Sequence, residues 1–419
     1  MTTDVRPADR QVRRLVRAAV RFPVRLWTRG PTVAARKWRK RVLRAAYLRG
    51  SKQRERIEET DPVIVETGQT LRAALIALNK DKHRAAGYRV LILRPASITA
   101  EIWIGDLASC MRHAGIDCRV LPPTAQSAEV TVAIESFHPN VLIAVEMPKV
   151  LQLLDLEFLQ RYKRAHGCLR LFVPVWHADA PRAHVPLDRS TPAQDEERRR
   201  LRSKGLTVDA YFSIFEPEFH ERFAHDRRGP AIDHVTVPQG FNPFSDYPLQ
   251  AERRYDYFMA TSMTDERVEV AYQYLRPILR HHRGLWAGPH WGFGLHSIDP
   301  AAMPLQYART RIALSPLVGF VHTYGAEVTH RVYAAAACGT FQLTMPTPIT
   351  HRYFTREELV QAATPEEYSR LFDHYLDHPQ ERNSIALAAL RRAYGEHSCF
   401  HRVDKLVSHW DNCRRRGLF

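Results

Sequence analysis

The feature that most limits what this chain can fold into is an alternation that runs through it twice. Short apolar runs rich in Val, Ile, Leu and Phe are separated by longer stretches with helical periodicity. In the first series the apolar runs are GYRVLILRPAS (87–97), DCRVLPP (117–123), NVLIAVE (140–146), LRLFVPVWHADAP (169–181), VDAYFSIFE (208–216) and DHVTVPQGFNP (233–243). Helices are predicted near 66–80, 103–115, 125–137 and 150–166, with a highly charged one at 193–204. A strand covered on both faces has no reason to alternate polar and apolar residues, so continuous apolar runs between helices indicate a parallel sheet buried between helical layers.

The series then restarts. RYDYFMATS (254–262), RGLWAGP (283–289), RIALSP (311–316) and TFQLT (340–344) read as strands, and DERVEVAYQYLRPILRHH (265–282) as the first helix. The expected class is therefore α/β, with two Rossmann-like domains. The turn-rich stretch 238–252, PQGFNPFSDYPLQAE, lies between the series and marks the linker. This divides the chain into a segment 1–60, an N-terminal domain 61–245 and a C-terminal domain 246–419. Ligands of such domains bind at the carboxyl ends of the strands, in the cleft between the two.

Composition narrows the class further. A chain of 419 residues with 45% apolar content is long enough for two packed cores. Its six cysteines show no CxxC and no metal-like spacing, which predicts reduced thiols in a cytosolic protein and no bound metal. There is no apolar run of about 18 residues to span a membrane, and no secretory signal.

The net charge of +16 is unevenly placed. Residues 1–60 hold 18 Lys and Arg against 5 Asp and Glu, or +13, which leaves +3 for the remainder. Within RQVRRLVRAAVRFPVRLW (10–27), successive residues are rotated by about 100° on a helix. That places Val12, Leu15, Val16, Ala19 and Val20 on one side and Arg10, Arg13, Arg14, Arg17 and Arg21 on the other. The pattern is that of a helix lying on an anionic membrane surface, with Trp27, Trp38 and the basic run RKWRKR (36–41) adding to the attraction. A solvated tail and a transit peptide share this composition. A nucleic-acid arm fits less well, because it has no use for an apolar face.

The most unusual local pattern is THRVYAAAACGTFQLT (329–344). A basic pair, His330 and Arg331, opens a helix whose N-terminus already carries the positive end of the macrodipole, which suits an anion bound there. The helix is expected to begin between Ala326 and Thr329 and to stop at Gly339. A surface His330, and an Arg331 paired with Glu327 or solvent, are the competing reading.

Several stretches, in order, resemble a known family: YDYFMATS, GLWAGPHW, RIALSP, RVYAAAACG, EEYSRLFDHYLDHPQER and HSCFHRVDKLVSHW. Together they are similar to the C-terminal domain of group 1 glycosyltransferases of the spore-maturation (CgeB-like) type. The resemblance covers about residues 254–412 and is weaker over 87–243. It implies a GT-B fold, transfer of a sugar from a nucleotide-sugar donor, and usually no metal or other cofactor. It also implies that the C-terminal domain holds the donor and the N-terminal domain presents the acceptor and any base.

Carried over residue by residue, the resemblance gives Arg267 a phosphate-facing role, and an ion pair with Asp265 or Glu269 is its alternative. Tyr324, Gly325 and the first turn of the helix, with His330 and Arg331, would hold the donor diphosphate. Gly288 and Trp291 would shape the base pocket. The family's ribose-binding acid aligns with Ala334, so Glu327 is the substitute candidate.

In the N-terminal half, VWHADAP puts His177 and Asp179 at the end of a strand, where His177 is a candidate base. Glu146 is the alternative, and a helix cap with a wall histidine the competing reading. The expected activity is glycosyl transfer to a cell-envelope or surface-glycan acceptor, or a lipid-linked one, at the cytoplasmic face of the membrane. A silent nucleotide-sugar-binding scaffold and a nucleotide-sugar epimerase are the alternatives.

Overall fold

The computed structural model describes residues 33–93, 98–145, 153–173, 209–214, 233–316 and 328–419. The chain forms two compact units, and membership does not follow chain order. Residues up to Thr70 group with Ser245–Ala393, and Leu71–Phe244 group with Tyr394–Phe419.

The described residues start with helix α1 (Val33–Gly50), the short strand β1 (Glu58–Glu59) and helix α2 (Pro62–Asn79). Next come β2 (Arg89–Leu93), α3 (Ile98–His113), β3 (Asp117–Leu121), α4 (Ser127–Phe137), β4 (Val141–Val145), α5 (Leu156–His166), β5 (Leu169–Val173), β6 (Ala210–Ser213) and β7 (Asp233–Thr236). These six strands form one all-parallel sheet in the order β3-β2-β4-β5-β6-β7. Leu91, Leu93, Leu142 and Ala144 on its strands pack against Val130, Ile134, Leu156 and Leu159 on α4 and α5. The apolar runs of the first series are therefore strands for the reason expected.

The second series gives β8 (Glu252–Arg253), β9 (Tyr255–Ala260), α6 (Asp265–Val270), α7 (Arg276–His281), β10 (Gly284–Ala287), α8 (Met303–Ala308), β11 (Thr310–Ser315), α9 (His330–Ala337), β12 (Phe341–Thr344) and β13 (Val360–Gln361). Helices α10 (Pro365–Asp377), α11 (Pro379–Glu396) and α12 (Cys399–Arg415) complete the chain. The second sheet is also all parallel, in the order β10-β9-β11-β12-β13. In both sheets the first strand lies between the second and third, so the order reverses beside it. In the second sheet that switch point lies between β9 and β11, where α/β sheets bind ligands at their carboxyl ends.

Two local expectations are refined. The helix expected at 265–282 is interrupted by a π-helical turn, Ala271–Leu275, ahead of Pro277. Proline has no N–H to give and its ring crowds the carbonyl four residues earlier, so the regular ladder cannot run through. The helix of the alanine run begins at His330, with Thr329 as its cap, and Gly339 at φ +67° ends it. All six cysteines are buried free thiols. No described helix is long and apolar enough to cross a membrane.

The segment before the first domain is bound into the unit that contains the second sheet. β1 pairs antiparallel with β8, Glu58 opposite Arg253. The Glu58 carboxylate meets three arginines that are each at most 3% exposed: Arg253 at 2.9 Å, Arg311 at 3.1 Å, and Arg382. Asp256 takes a second bond from Arg311 at 3.2 Å. Arg382 also donates to the carbonyls of Tyr375 and Leu376, at the negative end of α10. Two carboxylates and a helix C-terminus thus balance three buried guanidiniums.

Burial alone would raise the Glu58 carboxyl, but the charges and hydrogen bonds of Arg382 and Arg253 outweigh it and hold it below its ordinary range. A folded-state pKa below the unfolded value of about 4.3 contributes stability above that pH, which is lost as pH falls through the folded value. Glu58→Ala should cost about 3–5 kcal/mol at neutral pH, because it leaves buried cations without their counter-charge. Glu58→Gln should lose its penalty relative to the parent as the medium becomes more acidic than about pH 4. Urea titrations of both variants at neutral and acid pH check this, and a pH-independent penalty would contradict it.

Candidate functional site

The turn that leaves β9 is built by short polar residues, Thr261-Ser262-Met263-Thr264. Thr264 caps α6 by accepting the Arg267 N–H at 3.3 Å. That cap starts the helix so that Arg267 turns back over the strand end. Its Nη1 donates to the Ser262 carbonyl at 2.9 Å and the Ser262 hydroxyl at 2.6 Å. From the other side, α9 brings Arg331, whose Nη1 donates to the Ala260 carbonyl at 2.7 Å. Two guanidiniums therefore converge on residues 260–262, at the carboxyl end of the strand beside the switch point.

Their proximity is visible electrostatically. Burial, and then the Arg331 charge, pull the Arg267 guanidinium down to about 10, with Glu266 opposing. The sequence offered Asp265 and Glu269 as alternative partners for Arg267. In the structure those carboxylates are taken by α1: Arg36 pairs with Asp265 and Arg39 with Glu269. Arg267 is thereby left to carbonyl and hydroxyl oxygens, which orient a cation without cancelling its charge.

Gly288 supports the same turn from the next strand. It adopts φ +141°, and a Cβ there would lie 1.8 Å from the Thr261 carbonyl oxygen. That oxygen accepts the Trp291 indole N–H at 2.8 Å, while the Thr261 N–H donates to Ala287. Trp291 is 1% exposed and packs edge-on against Trp286, their ring centres 4.7 Å apart. It braces the loop from inside and offers no face to a base, contrary to the role expected for it.

His330 begins α9 with its Nε2 3.8 Å from a carboxylate oxygen of buried Asp246. Ala334 is 3% exposed and belongs to the core formed with Phe258, Leu285, Tyr307 and Ala313, so this position presents no polar group. Beside the start of α9 is a small recess lined by Val328, Thr329, Val332, Thr344, Thr347, Thr350 and Leu359. The Thr329 hydroxyl there is shielded from solvent and makes no hydrogen bond. Sequence reading missed these threonines and Ser262. Ser262 follows the end of β9, Thr344 ends β12 and Thr329 caps α9, positions that become meaningful once strand order is known. Tyr324, Gly325, Glu327, Glu146, His177 and Asp179 lie outside the described residues.

Residues 267–408 match the family model for glycosyl transferase-like domains. The chain is similar in structure to a sucrose-phosphate synthase from Thermosynechococcus elongatus, with TM-score 0.54 and 11% identity over 78% of this chain and 98% of that one. It is also similar to Anabaena HepE in complex with UDP and glucose, with TM-score 0.51 and 10% identity over 77% of this chain and 99% of that one. No curated protein matches it in sequence. The fold is that of the GT-B glycosyltransferases, and residues 267–408 match the model of a glycosyltransferase-like domain.

Gly288→Ala is expected to displace the Thr261 carbonyl or the loop, since neither a φ of +141° nor a 1.8 Å approach suits a side chain. A loss of more than about 2 kcal/mol in thermal or denaturant unfolding is anticipated. A variant as stable as the parent would show that the loop re-forms without cost.

Proposed function

We propose that the donor-side unit binds a nucleotide sugar through its diphosphate, held by Arg267 and Arg331 with His330 beside them. The observation that carries the reading is the convergence of Arg267 and Arg331 on the end of β9. Two like charges brought to the same turn repel one another, and a dianionic ligand relieves that repulsion. Arginine also suits phosphate, because its planar fork makes paired charge-assisted hydrogen bonds. Tyr324, Gly325 and Glu327 precede the same helix and extend the donor site in this reading, with Glu327 in place of the acid absent at position 334. Gly288 acts by shaping the turn on which Arg267 rests. HepE was solved with UDP and glucose, which makes UDP-sugars the first donors to test.

The sugar passes to a cell-envelope or surface-glycan acceptor, either free or lipid-linked. His177 with Asp179, or Glu146, receives the acceptor proton. The +13 carried by residues 1–60 holds the enzyme at an anionic membrane surface. A nucleotide-sugar-binding scaffold without turnover is the second reading, favoured by one observation: Ala334 is a core residue and gives the donor no carboxylate.

Calorimetry with UDP and UDP-sugars tests donor binding. Arg331→Ala and Arg267→Ala should each weaken binding roughly ten- to a hundredfold, the equivalent of about 1.5–3 kcal/mol for a charge-assisted bond. Arg331→Lys should recover only part of the loss, because a point charge cannot serve the Ala260 carbonyl and a phosphate as the fork does. Unchanged affinity in all three would overturn the donor assignment.

Turnover separates transferase from scaffold. His177→Ala should lower the transfer rate by about 10²–10⁴-fold while leaving donor affinity near that of the parent. A rate within a few-fold of the parent moves the base to Glu146 or removes it. Absence of product from any donor and acceptor pool, with tight donor binding, favours the scaffold.

A further inference from the structure

Helix α1 carries seven cations and no anion in the sequence VAARKWRKRVLRAAYLRG. The fold divides these cations between two uses. Arg36 and Arg39 turn inward to Asp265 and Glu269, and Lys40 to the His290 carbonyl. Leu43 and Ala46 are buried, Tyr47 packs on Phe293, and a Cβ on Gly50 would lie 2.1 Å from the Leu279 carbonyl, so the helix is seated directly on α7.

The opposite face is exposed and follows a single arc. At about 100° per residue, Val33, Arg44, Lys37, Leu48, Arg41, Ala34, Ala45, Trp38 and Arg49 occupy about 160° of the helix circumference. Every one of these residues is exposed, Trp38 at 55% and Leu48 at 48%. Trp38 leans on Tyr272, over which the Arg276 guanidinium also lies at 5.1 Å, so the basic surface continues onto α7. Four exposed cations interleaved with a tryptophan, a leucine and a valine, and no acid, complement a surface that is anionic at its headgroups and apolar just beneath. A duplex nucleic acid offers the phosphates but nothing for Trp38 or Leu48 to enter.

We propose that this face of α1 is a docking surface for anionic phospholipid. It rests on the membrane reading above and adds that the contact is made by a helix bolted to the donor-side unit. The donor-binding half is thereby held at the bilayer by a rigid element. Segment 10–21 contributes binding strength in this arrangement and α1 sets the orientation.

The test is co-sedimentation of the full chain with vesicles of phosphatidylglycerol and phosphatidylcholine, and with phosphatidylcholine alone. The parent should bind the first and not the second. Lys37→Glu/Arg41→Glu/Arg44→Glu should lower partitioning about a hundredfold or more, given roughly fivefold for each cation lost near an anionic surface. Trp38→Ser/Leu48→Ser should lower it about tenfold with the charge untouched. The cations face solvent and Trp38 and Leu48 are each about half exposed, so UDP affinity should stay at the parental value and the thermal midpoint should fall only slightly with loss of the Trp38–Tyr272 contact, which separates lost docking from lost folding.

If both α1 variants bind as the parent does while Leu15→Asp/Val16→Asp does not, α1 is not the docking face and the membrane reading survives on segment 10–21. A parent that ignores anionic vesicles overturns both. A parent that prefers a DNA duplex, with the Trp38→Ser/Leu48→Ser variant unaffected, makes the face a phosphate reader for nucleic acid and overturns the lipid proposal.

Discussion

The donor-side unit depends on one electrostatic arrangement, the Glu58 carboxylate among Arg253, Arg311 and Arg382. A guanidinium cannot be buried without compensation, and three in one place would repel one another strongly. Glu58, Asp256 and the last carbonyls of α10 make the group tolerable, and they come from three separate parts of the chain. The residues just before the first domain are therefore fixed against β8, β11 and the start of α11. With the chain fixed there, α1 is delivered onto α6 and α7.

What α1 does on arrival bears on the candidate site. By engaging Asp265 and Glu269, Arg36 and Arg39 take up two of the three carboxylates that lie within two residues of Arg267, and Glu266 remains beside it. Arg267 then rests on Ser262, and Arg331 on Ala260, both still charged. The same helix presents its other cations to solvent. In the reading proposed above, this single 18-residue helix links the anion site of the unit to an anionic surface outside it.

Much of this was legible in the sequence, for a definite reason. Strands such as RVLIL and VLIAV are buried on both faces, so their whole length is apolar and the pattern is local. The stop at Gly339 is also local, since it depends on a few neighbouring backbone groups. Trp291 shows where such reading fails. An aromatic between glycines after a strand suggests a ligand platform, but whether the ring points outward depends on Trp286 beneath it, which sequence spacing does not report. Pro277 was a visible warning that the helix from 265 is not continuous, and its helical surroundings masked it.

Sequence by itself determined the α/β class, the two series of parallel strands, the helix opened by His330 and Arg331, and the concentration of positive charge in the first 60 residues. These follow from periodicity, capping and composition, which act over a turn of helix or a single strand. Tertiary structure decided which charges are cancelled. Arg36 and Asp265 are 229 residues apart, and Arg382 and Glu58 are 324 apart, so no local rule joins them. It also decided that the end of β9 is the point of convergence, because strand order, and with it the switch point, arises only when distant strands pair. Charge acts through space, and only the folded chain fixes the distances.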